Sequence, residues 1–395
     1  MNKIRIIVGA CGIHLCIGSV YAWSVLVNPI MQKTGWGLFE VTSSFCLAIL
    51  FLGLSAAFTG KQIRTWGPKR SSATAMLFYI TGTLGSALAI ELNNLFLLYL
   101  FYGIIGGIGL GIGYVAPLAT LMKWFPESKG FAGGCAVMAF GFAAIIASPV
   151  MSFIVYHYGL IANFILMSVG FALIMSISIW LIKPADDQNP IFYEPSRIIK
   201  MHTFGMSPSE AVRTKDYWII WITLFINIAA GLAILSIASP IAEHLIDMTR
   251  PEAAGLVAMI ALLNGGGRIF FAAISDFIGR INTYKLIYVI ESIAFIILGV
   301  SENDFMIQCV ILVIAACYGG VFSCMPALIS DVFGNKHLTE IHGRMLTSWG
   351  FAGIAGPLIM AASFIYTDDY DMLSVIFSLL FLLSIWMISY IRKPI

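Results

Sequence analysis

Charged residues are scarce in this chain, and their scarcity excludes most soluble folds. Only 11% of the 395 residues are Asp, Glu, Lys or Arg, whereas about 25% is typical of a soluble domain. Hydrophobic residues make up 59% of the chain, and the mean hydropathy is +0.92. The composition therefore predicts a protein embedded in a lipid bilayer.

The motifs of several other functional classes are also missing. The seven cysteines form no Cys-x-x-Cys pair, which argues against a disulfide framework and against a metal site. The glycine-rich stretch 103–113 lacks the Lys-Ser/Thr that completes a nucleotide-binding loop. We therefore expect no enzymatic activity, no cofactor, no metal and no use of ATP.

Long apolar runs fill most of the chain. A transmembrane helix needs about 20 apolar residues, and twelve runs are close to this length or longer. We predict an all-α membrane protein with twelve transmembrane helices. The predicted spans are 5–30, 40–62, 71–91, 95–122, 130–155, 160–182, 217–243, 253–276, 283–300, 305–331, 343–366 and 371–391.

Lysine and arginine lie almost entirely on one side of these spans. If the N-terminus is cytoplasmic, 19 of the 22 basic residues lie on the cytoplasmic side, Lys33 and Arg250 lie outside, and Arg268 lies within the membrane. Positive residues are enriched in cytoplasmic loops, so both termini are predicted to be cytoplasmic. The basic residues are topology signals, and we expect no nucleic-acid partner.

The chain repeats itself across a polar linker. We predict a six-helix bundle over residues 1–182, a cytoplasmic linker over 183–215 and a second bundle over 216–395. The loop around Gly67 matches the loop around Gly279 at an offset of 212, and two further segments match in the same order at an offset of 209. Duplicated six-helix units are typical of secondary transporters, which bind their substrates near the bilayer midplane between the halves.

One cation interrupts the eighth apolar run. Arg268 follows Asn264 by one helical turn, and three glycines separate them. An arginine at the centre of a membrane helix costs about 2.5–3.5 kcal/mol and usually faces a watery cavity or a substrate path. The glycines allow another helix or a ligand to approach this face closely. The alternative is a snorkelling side chain or a structural ion pair with Asp276.

The repeated loop resembles that of one large family of transporters. Asp276-Phe-Ile-Gly279-Arg280, together with a glycine-rich fourth helix, is similar to the major facilitator superfamily, and the resemblance covers the whole chain. It implies a cytoplasmic gate that involves Asp276, Arg280 and Gly67. In the first copy of the loop, Arg64 occupies the acidic position, so the gate of the first half is expected to use other contacts.

A second set of residues resembles one branch of that superfamily. Tyr21-Ala-Trp23 in the first helix, Tyr114 in the fourth and Asn264-x-x-x-Arg268 are similar to the oxalate/formate antiporter and monocarboxylate porter branch. Members of this branch carry small carboxylates. The planar fork of donors on an arginine matches a carboxylate, so the resemblance implies that Arg268 binds the substrate and that Asn264 assists it.

The number of basic residues separates possible substrates. Oxalate-handling relatives have a second basic residue in helix 11, whereas residues 345–366 contain neither lysine nor arginine. A buried charge without a partner is heavily penalised, so we expect a monocarboxylate such as lactate, pyruvate, formate or acetate. Core packing is the alternative role for the aromatic candidates. The predicted substrate-binding residues are Arg268, Asn264, Tyr114, Tyr318, Tyr21, Trp23 and Trp349.

Two titratable residues within the predicted spans are candidates for proton coupling. His14 lies in the first helix, seven residues before Tyr21, and the ordinary pKa of histidine is about 6.5. Glu291 lies midway along the ninth helix. The alternatives are a hydrogen-bonded core histidine and a glutamate that pairs two helices.

These observations predict a proton-coupled carrier of small monocarboxylates. We expect a functional monomer in a bacterial inner membrane, whose partners are a carboxylate, protons and the lipid bilayer. An oxalate/formate-type anion exchanger needs no proton step and stays open as an alternative. A carboxylate sensor and an efflux carrier for amphipathic compounds are the remaining alternatives.

Overall fold

The computed structural model describes an almost entirely helical protein. The described residues are 3–125, 129–184, 205–245, 247–334, 337–367 and 371–391. Within them, twelve helices are long and apolar enough to cross a membrane, and there is no β-strand. The predicted all-α fold with twelve spans is confirmed.

The spanning helices follow the apolar runs closely. The spans are α1 (Lys3–Ala22), α2 (Leu38–Phe58), α3 (Gly60–Glu91), α4 (Leu95–Leu121), α5 (Lys129–Tyr158), α6 (Leu160–Leu181), α7 (Lys215–Ser236), α8 (Arg250–Ile278), α9 (Arg280–Val300), α10 (Asp304–Phe333), α11 (Glu340–Ser363) and α12 (Asp371–Ile388). Several helices begin or end at a capping side chain or a glycine, such as Thr214 before α7, Asn303 before α10 and Gly279 between α8 and α9.

Four spans consist of several helical pieces. The α1 span passes through a 3₁₀ turn at Ser19–Ala22 and continues as the helix Ser24–Thr34. The α7 span breaks at Ile237 and continues as Ala238–Leu245. The α4 span lies within Leu95–Leu98, the π-helical segment Tyr99–Gly106 and Gly107–Trp124, and the α11 span lies within Leu338–Met345 and Thr347–Thr367.

Of the predicted linker, residues 185–204 lie outside the described part. Pro208–Ala211 forms a short helix that is capped by Ser207 and Glu210. It precedes α7 by one turn. The boundaries of the two bundles remain a prediction.

The surface of the bundle is apolar. Phe277 is 89% exposed and Val300 is 76% exposed, which would be costly in water but is favourable against lipid tails. Conversely, several polar side chains lie inside the bundle, among them His14, Asn264 and Glu291, each 0% exposed. These polar side chains are therefore enclosed by the helices of the bundle.

The repeated loop has the same backbone conformation in both halves. Gly67 has φ 75° and ψ 172°, and Gly279 has φ 85° and ψ 154°. A side chain is strained in this left-handed region, which explains a glycine at both positions. The matched geometry supports the internal repeat.

Two helix pairs join the halves through close glycine contacts. In one pair, a Cβ added to Gly53 of α2 would lie 2.7 Å from the Cα of Gly350 of α11. In the other pair, a Cβ added to Gly141 of α5 would lie 3.2 Å from the Cα of Gly265 of α8. Glycines allow helix backbones to approach closely in a membrane, and the second pair contains Arg268.

Candidate functional site

Arg268 lies in the middle of α8 and points into the interface between the halves. Its side chain is 3% exposed. The Nη1 group donates a hydrogen bond to the carbonyl oxygen of Val137 in α5, and Nη2 donates to Asn264 Oδ1 at 3.1 Å. Residues four apart lie on one face of a helix, so the predicted pairing of Asn264 with Arg268 is present. Asn264 itself donates to the Ala315 carbonyl of α10 at 3.2 Å.

The glycines around Arg268 bring three helices together. A Cβ added to Gly141 would lie 3.1 Å from Arg268 Nε and 3.1 Å from Asn264 Oδ1, so α5 passes directly over the guanidinium. A Cβ added to Gly267 would overlap the Ala316 carbonyl of α10, and one added to Gly265 would overlap the ring of Phe142. The sequence predicted that the glycines allow a helix or a ligand to approach this face, and the structure places α5 and α10 there.

No carboxylate forms an ion pair with Arg268 among the described residues. Asp276, the partner considered from the sequence, instead lies 2.6 Å from Arg280 Nη1. Arg268 Nε has no hydrogen-bond partner in the described part of the chain. A buried cation is costly unless a charge compensates it, so this position is suited to an anion that binds reversibly.

Two tyrosines connect the halves beside the arginine. The hydroxyl groups of Tyr21 in α1 and Tyr318 in α10 are 2.6 Å apart. Tyr21 also packs edge-on against Phe140 of α5, at a centroid distance of 5.1 Å. The sequence placed Tyr21 and Tyr318 at one site, and the structure brings them into direct contact.

An aromatic cluster surrounds the same point. Tyr114 lies 5.4 Å from Trp349 and 5.6 Å from Phe140, measured between ring centroids. Phe322 lies 4.8 Å from Trp349, and its ring centroid is 5.6 Å from Arg268 Cζ. An arginine over an aromatic face is attracted by the ring quadrupole. The predicted residues Tyr114 and Trp349 thus belong to one cluster with the cation.

His14 joins this cluster from α1. Its ring lies 5.4 Å from that of Tyr114. Its Nδ1 atom is 3.1 Å from the Ala10 carbonyl oxygen, which can only accept, so Nδ1 is assigned the proton. In the neutral ring the other nitrogen, Nε2, is then a base, and it has no partner among the described residues.

The centre of the bundle therefore contains a cation, a base and a further donor. Arg268 Nε, His14 Nε2 and Trp349 Nε1 are all buried and without hydrogen-bond partners in the described ranges. The side chains of His14, Tyr21 and Trp349 are at most 1% exposed, so they are packed inside the bundle. This set can neutralise a carboxylate and can accept one proton.

Two predicted residues lie elsewhere. Trp23 packs against Tyr102 of α4 at a centroid distance of 4.1 Å and an interplanar angle of 32°, inside the first half and away from Arg268. Glu291 of α9 accepts hydrogen bonds from Asn227 Nδ2 of α7 at 2.8 Å to each carboxyl oxygen. This arrangement matches the alternative of a glutamate that pairs two helices.

The predicted gate residues lie where α8 meets α9 and at the equivalent position of the first half, in α3. Arg280 bonds both Asp276 and Ser275, which fixes the loop at Gly279. Gly67 occupies the equivalent bend in α3. The side chain of Arg64 lies outside the described residues. Their role in gating remains a prediction.

Several site residues were not predicted from the sequence. Phe322 follows Tyr318 by four residues, so it lies on the same helix face, and Phe140 precedes Trp349 by the repeat offset of 209. Both signals were present in the sequence. Val137 contributes only its backbone carbonyl, which leaves no sequence signal.

Metal binding has no visible basis in the described part. There, no group of three or more His, Cys, Asp or Glu side chains is arranged to hold an ion.

Comparisons with known proteins place the chain among transporters. The family model described as Major Facilitator Superfamily matches residues 9–357. The chain is 27% identical over 349 residues to the MFS-type transporter YhjX of Escherichia coli, covering 88% of this chain and 85% of that protein. It is 23% identical to the oxalate:formate antiporter of Oxalobacter formigenes and 22% identical to apicoplast pyruvate carrier 1 of Toxoplasma gondii. Both matches cover 87% of this chain and 81% of the relative.

Proposed function

The chain belongs to the Major Facilitator Superfamily, and we propose that this multi-pass transporter carries small monocarboxylates by alternating access, with the substrate bound at Arg268. One observation carries the proposal. Arg268 is buried between the halves, its Nε has no partner and no carboxylate compensates its charge among the described residues. An anion that binds there removes an uncompensated charge, which favours reorientation of the loaded carrier.

A single negative charge suits this site best. Arg268 is the one buried lysine or arginine side chain in the described ranges. Arg344, the nearest basic residue of α11, is exposed and donates to the Pro208 carbonyl at 3.1 Å. A dianion such as oxalate would retain one buried charge without a partner, which is strongly unfavourable. The aromatic cluster accommodates the small apolar body of lactate or pyruvate.

Proton coupling is assigned to His14. Its Nε2 atom is a free base in the cluster that contains Arg268, and Nδ1 is held by the Ala10 carbonyl. One proton and one carboxylate carried together have no net charge, so their transport is electroneutral. Glu291 is the second candidate, but its bonds to Asn227 give it a structural role within the second half.

Exchange of carboxylate anions is the second candidate function. The oxalate:formate antiporter of Oxalobacter formigenes is 23% identical over 351 residues. Exchange requires no proton carrier, because each anion replaces the other at the same cation. The apicoplast pyruvate carrier favours a monocarboxylate cargo under either mechanism. A sensor or an efflux carrier for amphipathic cations fits a positively charged central site less well.

The proposed cellular setting follows from the charge distribution. With both termini in the cytoplasm, 19 of 22 basic residues lie on the cytoplasmic side. A bacterial inner membrane and a functional monomer are the arrangement we propose.

Counterflow in proteoliposomes tests the proposal. Vesicles are loaded with unlabelled lactate, pyruvate, formate, acetate or oxalate, and labelled uptake is measured with and without an inward proton gradient. Uptake of a monocarboxylate that the gradient stimulates supports proton symport, and uptake that ignores the gradient supports exchange. If a reconstituted protein that unfolds cooperatively on heating takes up none of these acids, the carboxylate assignment is wrong. Lys33→Ala, an exposed substitution, is the control.

A further inference from the structure

A small cavity lies among the helices of the first half. It measures about 20 Å³ as the space open to the centre of a water molecule. About 10–15 Å³ on this scale is enough for one water. Its polar lining comes from α1, α3, α4 and α6. The polar lining residues are Ser19, Trp23, Tyr79, Thr83, Tyr102 and Asn163.

Three polar atoms at this cavity have no partner. Asn163 is 1% exposed, and both its Oδ1 and its Nδ2 are without hydrogen bonds among the described residues. Trp23 is also 1% exposed, and its Nε1 is likewise unpaired there. Buried polar groups in proteins are satisfied by protein or by ordered water. The two residues that carry this acceptor and these two donors both line one water-sized space, and a bound water requires such partners.

The cavity lies where two irregular helical segments meet. Trp23 directly follows the 3₁₀ turn Ser19–Ala22, and Tyr102 belongs to the π-helical segment Tyr99–Gly106. Their rings are in contact, tilted by 32° at a centroid distance of 4.1 Å. Isolated π-helical segments and mid-helix 3₁₀ turns often mark functional hinges. Ser19 also lines the cavity, and its hydroxyl group forms a hydrogen bond with the hydroxyl group of Tyr79 at 2.8 Å.

The turn in α1 connects this cavity to the central site. Tyr21, in the middle of the turn, contacts Tyr318 across the halves at 2.6 Å. Trp23, two residues later, points to the opposite side and lines the cavity. Any group that holds Trp23 therefore also sets the position of Tyr21.

We propose that this cavity is a hydration site in which one ordered water, or at most two, bridges Trp23 and Asn163. The water accepts from Trp23 Nε1 and from Asn163 Nδ2, and it donates to Asn163 Oδ1. This bridge holds the break in α1 and thereby positions Tyr21 at the central site. The lining contains no carboxylate, so a neutral water suits this space better than a cation does. The proposal is independent of the identity of the cargo.

X-ray radiolysis of the full-length protein in lipid nanodiscs tests the site directly. Hydroxyl radicals formed from a bound water oxidise the side chains beside it, even when these are buried. Met151 lines the cavity and is 6% exposed, whereas Met325 is 0% exposed and lies elsewhere. We expect Met151 to be oxidised several-fold faster than Met325, and the excess to disappear in Asn163→Leu. Equal rates for the two methionines, or an excess unchanged in Asn163→Leu, would overturn the proposal.

Thermal stability provides an independent test, because Asn163→Leu should change the melting temperature in opposite directions for a hydrated and for a dry cavity. If water satisfies Asn163, Asn163→Leu loses those hydrogen bonds, and the melting temperature falls by about 2–4 °C. If the cavity is dry, the same substitution removes an unsatisfied amide, and the melting temperature rises. Trp23→Phe is the second variant if Asn163→Leu fails to fold. It keeps an aromatic ring beside Tyr102 and removes the N–H group together with part of the indole ring, and the excess oxidation of Met151 should disappear in it as well. A stabilised Trp23→Phe protein would equally contradict the proposal.

Discussion

The two interfaces between the halves have the same glycine framework but different polar chemistry. Gly53 of α2 packs on Gly350 of α11, and Gly265 of α8 packs on Gly141 of α5. Gly53 corresponds to Gly265 at an offset of 212, and Gly141 corresponds to Gly350 at an offset of 209. The repeat therefore brings backbones close together twice.

Only one of these interfaces contains the cation. The positions equivalent to Asn264 and Arg268 in the first half are Leu52 and Ala56, at most 1% exposed. The α2–α11 interface is thus apolar where the α5–α8 interface is charged. The difference teaches that the repeat accounts for the close approach of the helices in both places, whereas two positions that differ between the copies carry the polar groups of the proposed binding site.

Arg268→Ala would remove the charge that distinguishes the two interfaces and should have the largest effect. Hydrogen bonds to charged groups contribute about 1.5–3 kcal/mol each, so losing a bidentate pair should weaken carboxylate transport by at least about 100-fold. Arg268→Lys should also lose most activity, because lysine lacks the planar fork. Counterflow of labelled lactate measures both. Wild-type rates in Arg268→Ala would refute the proposed site.

His14→Gln tests whether proton coupling belongs to the same cluster. We expect lactate exchange to persist and the stimulation by an inward proton gradient to be lost, because glutamine cannot take up the proton.

His342→Gln is the matched control for this substitution. His342 is also a buried histidine with an unpaired Nε2 among the described residues, but it lines a cavity with Leu118 of α4 and Pro326 of α10. Gradient-driven accumulation should therefore survive in His342→Gln. Survival in His14→Gln as well would move the proton step to another group.

The two glycine contacts should respond differently to an added methyl group. A Cβ on Gly141 would lie 3.1 Å from Arg268 Nε. Gly141→Ala should therefore raise the half-saturating lactate concentration about 10-fold, which corresponds to a loss of about 1.4 kcal/mol of binding free energy. A Cβ on Gly53 meets the backbone N and Cα of Gly350 at 2.7 Å, so Gly53→Ala should lower the melting temperature more than Gly141→Ala does. Transport kinetics and thermal unfolding of both variants separate the two effects. Indistinguishable profiles would show that the interfaces are equivalent.

Glu291→Gln should have the smallest effect. Glutamine keeps one oxygen that can accept from Asn227 Nδ2, so the link between α7 and α9 is retained. We expect lactate uptake, with and without the gradient, to stay within about 2-fold of wild type, which corresponds to about 0.4 kcal/mol. Selective loss of gradient stimulation would instead identify Glu291 as the proton carrier.

Much of the architecture could be predicted because membrane insertion imposes simple rules. Backbone polar groups must be satisfied within each span, so apolar runs of sufficient length become helices. The pairing of Asn264 with Arg268 followed from helical periodicity alone. The same periodicity argues against one of the predicted pairs. Tyr21 and Trp23 were predicted to share a site, yet residues two apart lie on opposite sides of a helix, and Tyr21 contacts Tyr318 whereas Trp23 contacts Tyr102.

The sequence by itself determined the number of spans, the repeat, and the presence of one basic residue inside the membrane, because these depend on local composition and spacing. Only the tertiary structure decided which groups surround that residue. The Val137 carbonyl, the ring of Phe322 and the contact between Tyr21 and Tyr318 bring together helices that are far apart in the chain. Such contacts depend on how helices pack across the two halves, and no local pattern encodes that packing.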